Sequence, residues 1–208
     1  LPKDKMQVVY NGTDLHRFIP HPAHTDTPLR LIYVGRIIRD KGIDLLLEAL
    51  AACPTDTPIT LTLVGSDHGG YTEQMQALAA RLHLEDKVQF LGSRTDVPQL
   101  LQAADLFVHP ATCQEGFGIT LIEAMASGVP CLAFPKGAIP EIIGPEIDGF
   151  LTEEVSAAAL TAGINRALEL FTKAPHHWHT LCKNARQKAE LFSIERTVAQ
   201  LETLYREQ

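Results

Sequence analysis

Two glutamates stand eight positions apart in the stretch CQEGFGITLIEAMASGVPCLAFPKGAIPEII, which covers residues 113 to 143. Glu115 precedes an aromatic residue that has glycine on both sides, and Glu123 lies in a segment of helical character. A carboxylate about one turn into a helix can accept hydrogen bonds from a pair of vicinal hydroxyls. The alternative is that Glu123 is a surface residue and that Glu115 only makes a loop soluble.

The glycines beside Glu115 indicate an anion-binding turn. Gly116 and Gly118 let the backbone approach a ligand closely, and Gly128 and Pro130 are signals that end a helix. The helix that carries Glu123 therefore begins near Gly118, and its first N–H groups have no partner within the helix. Such groups, here at about residues 119 to 121, bind phosphate and other anions.

A cluster of cations follows the first apolar run, in the stretch GRIIRDKG. Arg36, Arg39 and Lys41 lie where a helix is about to start, and each cation there opposes the helix dipole at a cost of about 0.3 to 1 kcal/mol. Asp40 as cap and Asp44 as first-turn acid could offset this cost, and so could a bound phosphate. Cations and free N–H groups that face one crevice would bind a diphosphate. With Glu123 suited to a pair of vicinal hydroxyls and Glu115 as a further polar group, the expected ligand is a nucleotide-sugar.

The elements that must position these groups alternate between short apolar runs and helical segments. Apolar runs occupy 29–35, 59–65, 87–92 and 105–111, and PCLAFP and GFL close the series. In the first helical segment Ile43, Leu46, Leu47 and Leu50 fall on one face. The alternation predicts an α/β fold, a Rossmann-like doubly wound parallel sheet with helices on both faces, followed by a helical tail over 156–208. Ligands of such sheets bind at the carboxyl ends of the strands.

Composition limits the class of protein. The 208 residues are enough for a single domain, which we predict to cover 1–208, and the excess of Asp+Glu (25) over Lys+Arg (18) makes nucleic acid an unexpected partner. Cys53, Cys113, Cys131 and Cys182 lack the spacing of a zinc site or a disulfide framework, so we expect reduced thiols in a cytoplasmic protein. The N-terminus LPKDKMQVVYNG lacks an initiator Met and a signal-peptide pattern, which predicts a fragment of a longer protein.

Three stretches resemble the C-terminal, donor-binding domain of the family 4 retaining glycosyltransferases, which have the two-domain GT-B fold. They are VGRIIRDKGIDLLLEAL, EGFGITLIEAMASGVPCLAFPKGAIPEI and the leading VVYNGTDLHRF. The likeness covers nearly the whole chain in the right order. It implies transfer of a sugar from a nucleoside-diphosphate sugar, with UDP as the common donor nucleotide, to a glycan, glycolipid or polysaccharide precursor. It also implies that no metal and no cofactor take part.

The resemblance implies roles for individual residues. Arg36 and Lys41 would bind the donor diphosphate, Glu115 would contact the transferred sugar, and Glu123 would contact the ribose hydroxyls. The first three are the expected catalytic residues. Other members of the expected donor-binding set are Gly35, Gly116, Phe117, Gly118, Thr120 and Leu121, several of them through backbone amides. Leu91 and Arg94, after the third strand, would lie by the base.

An N-terminal acceptor-binding domain, outside this chain, would complete the active site according to the same resemblance. The final helix resembles the one that crosses back to that domain, so an apolar face including Leu201 and Leu204 is expected to be partly exposed. The isolated half is expected to be inactive, and membrane association is expected only through the other half. Two alternatives stay open, another GT-B nucleotide-sugar enzyme such as an epimerase, and a binding-only module.

Several other features predict no chemistry. PHHWH, at 175–179, is expected to be an exposed turn between helices, because no Cys or carboxylate stands at metal-ligand spacing. We predict structural roles for His109, at the end of the fourth strand, and for Cys113, which lacks an identifiable base. Ala138 replaces the second of two glycines that are frequent in the family, in a loop expected to lie away from the phosphates.

Overall fold

The computed structural model describes residues 6–20, 26–54, 56–67 and 69–206. Within these ranges the strands are β1 (Leu29–Val34), β2 (Ile59–Val64), β3 (Val88–Gly92), β4 (Leu106–His109), β5 (Cys131–Ala133) and β6 (Gly149–Leu151). All neighbours pair in parallel, in the order β3-β2-β1-β4-β5-β6. The strand order reverses between β1 and β4, so the predicted doubly wound sheet is confirmed.

Helices cover both faces of the sheet. They are α1 (Ile43–Ala51), α2 (Tyr71–Arg81), α3 (Val97–Gln102), α4 (Ile119–Ala126), α5 (Ile139–Ile142), α6 (Ala157–Lys173), α7 (Pro175–Ala189) and α8 (Ile194–Arg206). Alternate side chains of β1 point to opposite faces. Leu29, Leu31 and Tyr33 belong to the core with α1, α2 and α6, whereas Ile32 and Val34 belong to the core with α3, α4 and α5. No helix in the described residues is both long and apolar enough to cross a membrane.

The first helix confirms the apolar face expected from the sequence. Ile43, Leu46, Leu47 and Leu50 of α1 are each at most 2% exposed. Burial of such a side chain stabilises the fold by about 1.5–3 kcal/mol. This packing fixes α1 against the sheet, and with it the turn that carries the cations before the helix.

The prediction of an exposed turn at 175–179 is wrong. Only Ala174 separates α6 from α7, and Pro175 begins α7 at a position where proline is favoured. Trp178 is 1% exposed and packs edge-to-face on Phe171, with ring centroids 5.5 Å apart. Trp178 therefore packs α7 against α6, although the residues on either side of it are polar histidines.

The N-terminal segment is tied to the start of α8. The N–H of Thr13 donates to the carbonyl of Phe192 and the N–H of Ile194 donates to the carbonyl of Thr13, both at 3.0 Å. Thr197 Oγ1 donates to the carbonyl of Tyr10 at 2.9 Å. These bonds place Tyr10 beside the loops at the carboxyl end of the sheet.

An apolar stripe of α8 is exposed in the described chain. Ile194, Val198, Leu201 and Tyr205 lie on one face of the helix and are 39–75% exposed, and Leu204 is partly buried. No residue of α8 is buried. The expectation of a partly exposed apolar face on the final helix is therefore confirmed.

Candidate active site

A cavity of about 550 Å³ opens where β1 and β4 end. The cavity lies at the reversal of strand order, where sheets of this kind bind ligands, and its volume is in the range of about 300–1,000 Å³ that is usual for such sites. Its lining includes these residues predicted from the sequence: Gly35, Arg36, Lys41, Glu115, Gly116, Phe117, Gly118 and Thr120. Ile119, whose N–H was expected to face this crevice, also lines the cavity. The prediction missed these further lining residues: Asn11, Tyr33, Val34 and His109.

The turn after β1 is built around Gly35. The Gly35 N–H donates to the Val64 carbonyl at 2.9 Å, and the Tyr33 hydroxyl donates to the Arg36 carbonyl at 2.7 Å. A Cβ on Gly35 would lie 2.6 Å from the Tyr33 oxygen, so a larger residue would displace this hydroxyl from the Arg36 carbonyl. Burial raises the pKa of Tyr33, which keeps its hydroxyl protonated as a donor. Tyr33 thus fixes the backbone that carries Arg36.

The cations of this turn have different surroundings. Arg36 is exposed on the cavity wall, and no ion pair with another described residue neutralises it. Lys41 donates from Nζ to Glu115 Oε2 at 2.5 Å. Arg39 does not line the cavity. Two of the three predicted cations therefore face the cavity, and Arg36 is the one available to an anion.

The start of α1 differs from the expected acidic cap. Gly42 is the N-cap, with φ 64°, and no side chain caps the helix. A Cβ there would lie 2.1 Å from the Pro110 carbonyl oxygen. Asp40 contributes its carbonyl, which accepts the N–H of Thr112 at 3.0 Å, whereas Asp44 is the first-turn acid as expected. The alternative in which Asp40 caps α1 is wrong, since Gly42 is the N-cap. The chain at Gly42 passes too close to Pro110 for any side chain.

Glu115 is held by two side chains. Its Oε2 accepts from Lys41 Nζ at 2.5 Å and lies 3.1 Å from His109 Nε2. The Lys41 and Glu115 side chains are only 14% and 18% exposed. The hydrogen bond from His109 and then the contact with Lys41 hold the pKa of Glu115 at about 2, against burial, which raises it. Glu115 is therefore an ionised carboxylate across the physiological pH range.

His109 was predicted to be structural, and the structure places it in the cavity wall instead. It is the last residue of β4, is 4% exposed, and contacts Glu115 six residues further along the chain. His109 also stacks on Phe107, with ring centroids 6.2 Å apart, and this contact is the one expected of a structural residue. A histidine at the end of a strand, just before a loop that carries a predicted site residue, was the available signal.

The loop after β5 packs against the backbone of Glu115. A Cβ on Gly137, which has φ 60°, would lie 2.1 Å from the Glu115 carbonyl oxygen and 2.6 Å from its nitrogen. The N–H of Ala138 donates to the same carbonyl at 3.0 Å. Ala138 was expected to lie away from the phosphates, and its N–H in fact anchors the backbone of a predicted site residue.

The N-terminus of α4 faces the cavity without a side-chain cap. Gly118 is the N-cap with φ 90°, and Thr120 in the first turn lines the cavity. The N–H of Leu121 donates to the Gly118 carbonyl at 3.0 Å, so it is not the free donor that the sequence led us to expect. Phe117 stacks on Tyr10 at 5.9 Å and closes the side of the turn. Gly118, Ile119 and Thr120 are the residues at this helix start that line the cavity.

Four predicted residues do not line the cavity: Leu91, Arg94, Leu121 and Glu123. Leu91 belongs to β3, two strands away from β1, and the Arg94 guanidinium pairs with Asp96 at 2.7 Å. Glu123 is half-buried one turn into α4. Burial raises the pKa of Glu123, and the nearby Arg17 guanidinium opposes this effect.

A second cavity, of about 370 Å³, lies between β6 and α6. Its charged lining consists of three carboxylates (Glu146, Glu153, Glu154) and Arg166, whose guanidinium is 3.1 Å from Glu146. This balance disfavours an anionic ligand, so the cavity at β1 and β4 is the candidate site. The described residues hold no group of three or more His, Cys, Asp or Glu placed to bind a metal, and Cys113 does not line the candidate site.

Comparisons with known proteins agree with the fold. A family model described as "Glycosyl transferases group 1" matches residues 17–188. N-acetyl-alpha-D-glucosaminyl L-malate synthase of Bacillus anthracis is 31% identical, over 98% of this chain and 54% of its own length. The Anabaena protein HepE has been solved in complex with UDP and with UDP-glucose. The match to the structure with UDP has 30% identity and a TM-score of 0.88, and it covers 97% of this chain and 57% of that chain.

The fold is that of a Rossmann-like domain of the GT-B glycosyltransferases. A glycosyltransferase from Rickettsia africae shares it with a TM-score of 0.91 at 24% identity, covering 100% of this chain and 58% of that chain. The chain spans about half the length of the relatives it matches. With most of its length matched by the family model, the chain belongs to the group 1 glycosyl transferases.

Proposed function

We propose that this chain is the donor-binding half of a retaining glycosyltransferase that takes a nucleoside-diphosphate sugar, with UDP as the nucleotide. The observation that carries the proposal is the convergence of Arg36, Lys41 and the uncapped N-terminus of α4 on one cavity. Cations and helix N-termini bind phosphate groups. HepE, a relative of similar fold, has been solved with UDP and UDP-glucose, which supports the same class of ligand here.

The residues of the cavity have separate tasks in this proposal. Arg36, Lys41 and the N-terminus of α4 stabilise the negative charge that develops on the diphosphate as the bond from the sugar to phosphate oxygen breaks. Glu115 binds and orients the sugar. Glu123, which lies one turn into α4 outside the cavity lining, binds the ribose hydroxyls in this proposal. The acceptor hydroxyl attacks on the same face and gives its proton to the departing phosphate, so configuration is retained. The chain's own cations supply the charge stabilisation, with no cofactor in the proposed step.

Binding of a nucleotide is the direct test. We expect one member of the set UDP, GDP and ADP, and its sugar conjugate, to raise the thermal midpoint of the natural full-length protein. A ligand at 100 times its dissociation constant stabilises the folded state by about 2.7 kcal/mol, an easily measured shift. Lys41→Ala should abolish most of the shift, because it removes a cation from the cavity.

Lys183→Ala is the matched control, since Lys183 is an exposed lysine of α7 outside the cavity lining. Its nucleotide-induced shift should equal that of the wild type. Equal shifts in Lys41→Ala and in the control would show that the nucleotide binds elsewhere. A response of the wild type to GDP or ADP alone would contradict UDP as the nucleotide, and a flat response to all three would contradict the proposed class of ligand.

The proposed enzyme needs a second domain that binds the acceptor and precedes this chain in the natural protein. The apolar stripe of α8 packs against that domain. The relatives are about twice as long as the part that this chain matches, which supports such a domain. Burial of the stripe would remove the exposure of Val198, Leu201 and Tyr205. We propose a cytoplasmic location, because none of the four cysteines forms a disulfide, and membrane association, if present, through the other domain.

A charge placed on the stripe tests the domain contact. In the natural full-length protein Leu201→Asp should lower the thermal midpoint and turnover, because it buries an unpaired carboxylate between domains. Thr203→Asp is the control, since Thr203 is exposed on the opposite face of α8. Thermal unfolding and turnover of both variants show whether the stripe of α8 packs on a second domain. Equal, small effects of the two substitutions would contradict packing on this stripe.

A further inference from the structure

The roles proposed above leave His109 without a task. Its side chain is 5% exposed, it lines the candidate site, and Nε2 lies 3.1 Å from Glu115 Oε2. Nδ1 is buried and has no hydrogen-bond partner in the described part of the chain. A buried imidazole with one nitrogen on a site carboxylate and the other unpartnered requires a physical reason.

The contact determines which nitrogen of His109 carries the proton. An ionised Glu115 can only accept hydrogen bonds, so Nε2 must be the donor and Nδ1 bears the lone pair. A second proton, on Nδ1, would bury a donor that finds no acceptor among the described residues. The tautomer is thus assigned from the hydrogen-bond partners, and it points one N–H at Glu115.

Lys41 and His109 both contact Glu115 Oε2, and the proposed function requires only Lys41 at a second place, the diphosphate. Lys41 contacts Glu115 Oε2 at 2.5 Å, whereas the proposed function requires its ammonium at the diphosphate. When a diphosphate attracts Lys41, Glu115 would lose most of its charge compensation. Glu115 is only 18% exposed, and a carboxylate without a donor at such a site is unfavourable. A donor that stays in place is therefore needed, and His109 is held in β4.

We propose that His109 is the positioning residue of Glu115, and that its Nε2–H keeps the carboxylate directed at the donor sugar while Lys41 binds the diphosphate. This inference rests on the proposed function and adds a residue to it. His109 acts through Glu115 in this inference. The competing explanation is that His109 serves only the core, through its stacking on Phe107.

Separate measurement of nucleotide and nucleotide-sugar binding distinguishes the two explanations. Dissociation constants of UDP and UDP-glucose, GDP and GDP-glucose, and ADP and ADP-glucose are measured for the natural full-length protein, and the pair that binds is used for the variants. His109→Phe keeps a ring for stacking and removes the N–H. We expect it to weaken affinity for the nucleotide-sugar at least tenfold more than affinity for the free nucleotide.

A conservative variant provides the rescue. The amide of His109→Gln places an N–H donor near the position of Nε2 and should restore most of the lost nucleotide-sugar affinity. If His109→Phe does not fold, His109→Asn replaces it, since its shorter amide falls short of Glu115 while its polarity matches that of glutamine.

The outcomes separate this inference from the proposed function. Equal weakening of both ligands by His109→Phe, or no weakening of either, would leave His109 a core residue and overturn the inference alone. Failure of His109→Gln to restore binding would do the same. If the wild type binds none of the six ligands, the proposed function is wrong and the inference falls with it.

Discussion

Replacing Arg36 with alanine in the natural full-length protein will lower turnover at least a hundredfold, while the free energy of unfolding changes little. A hundredfold loss corresponds to about 2.7 kcal/mol of transition-state stabilisation. The loss is expected because Arg36 is a cavity cation that no described residue neutralises, so its charge is available to the leaving diphosphate. Stability is preserved because an exposed side chain without a partner contributes within about 0.5 kcal/mol.

Arg39→Ala is the matched control for Arg36→Ala. Arg39 is an exposed arginine of the same turn that does not line the cavity. Steady-state turnover and denaturant unfolding of both variants, measured at low salt, separate the local role from the general positive charge of the turn. A loss below threefold in Arg36→Ala, or equal losses in the two variants, would refute the role proposed for Arg36.

The fold followed from the sequence because its signals are local. Apolar runs that alternate with helical segments predicted the parallel sheet with helices on both faces, and Leu29, Leu31 and Tyr33 do belong to one core while Ile32 and Val34 belong to the other. The order of the strands in the sheet was not predicted. The failure at PHHWH was also local. Trp178, Leu181, Cys182 and Ala185 repeat at helical spacing and are all buried, and this period predicts a helix where a turn was expected.

The candidate site was only partly predictable, because its side-chain pairs depend on which strands are neighbours. Lys41 follows β1 and Glu115 follows β4, and these strands are adjacent although two others separate them in sequence. The types of residue predicted an anion site, but the chain order did not reveal that Lys41 and His109 meet on one oxygen of Glu115. The approach of Gly137 to the back of Glu115 was equally hidden, since it depends on the path of the loop after β5.

Gly137→Ala will lower turnover at least about a hundredfold, although Gly137 does not line the cavity. The new Cβ would lie 2.1 Å from the Glu115 carbonyl oxygen and 2.6 Å from its nitrogen, distances that no relaxed structure tolerates. The clashing atoms are backbone, so the loop carrying Glu115 must move, and the hydrogen bond from the Ala138 N–H must lengthen. A displacement of about 1 Å at a positioning group costs on the order of a hundredfold in rate.

Gly69→Ala controls for the backbone strain that accompanies any such change. Gly137 has φ 60° and Gly69 has φ 74°, so alanine is strained at both, by roughly 1–2 kcal/mol. A Cβ on Gly69 would meet nothing within 4 Å. Turnover of both variants should be measured well below their thermal midpoints, so that each is folded. If the two lose equal activity, left-handed strain explains the effect, and the contact behind Glu115 has no part in holding the carboxylate in place; if only Gly137→Ala loses it, the loop after β5 is what positions Glu115.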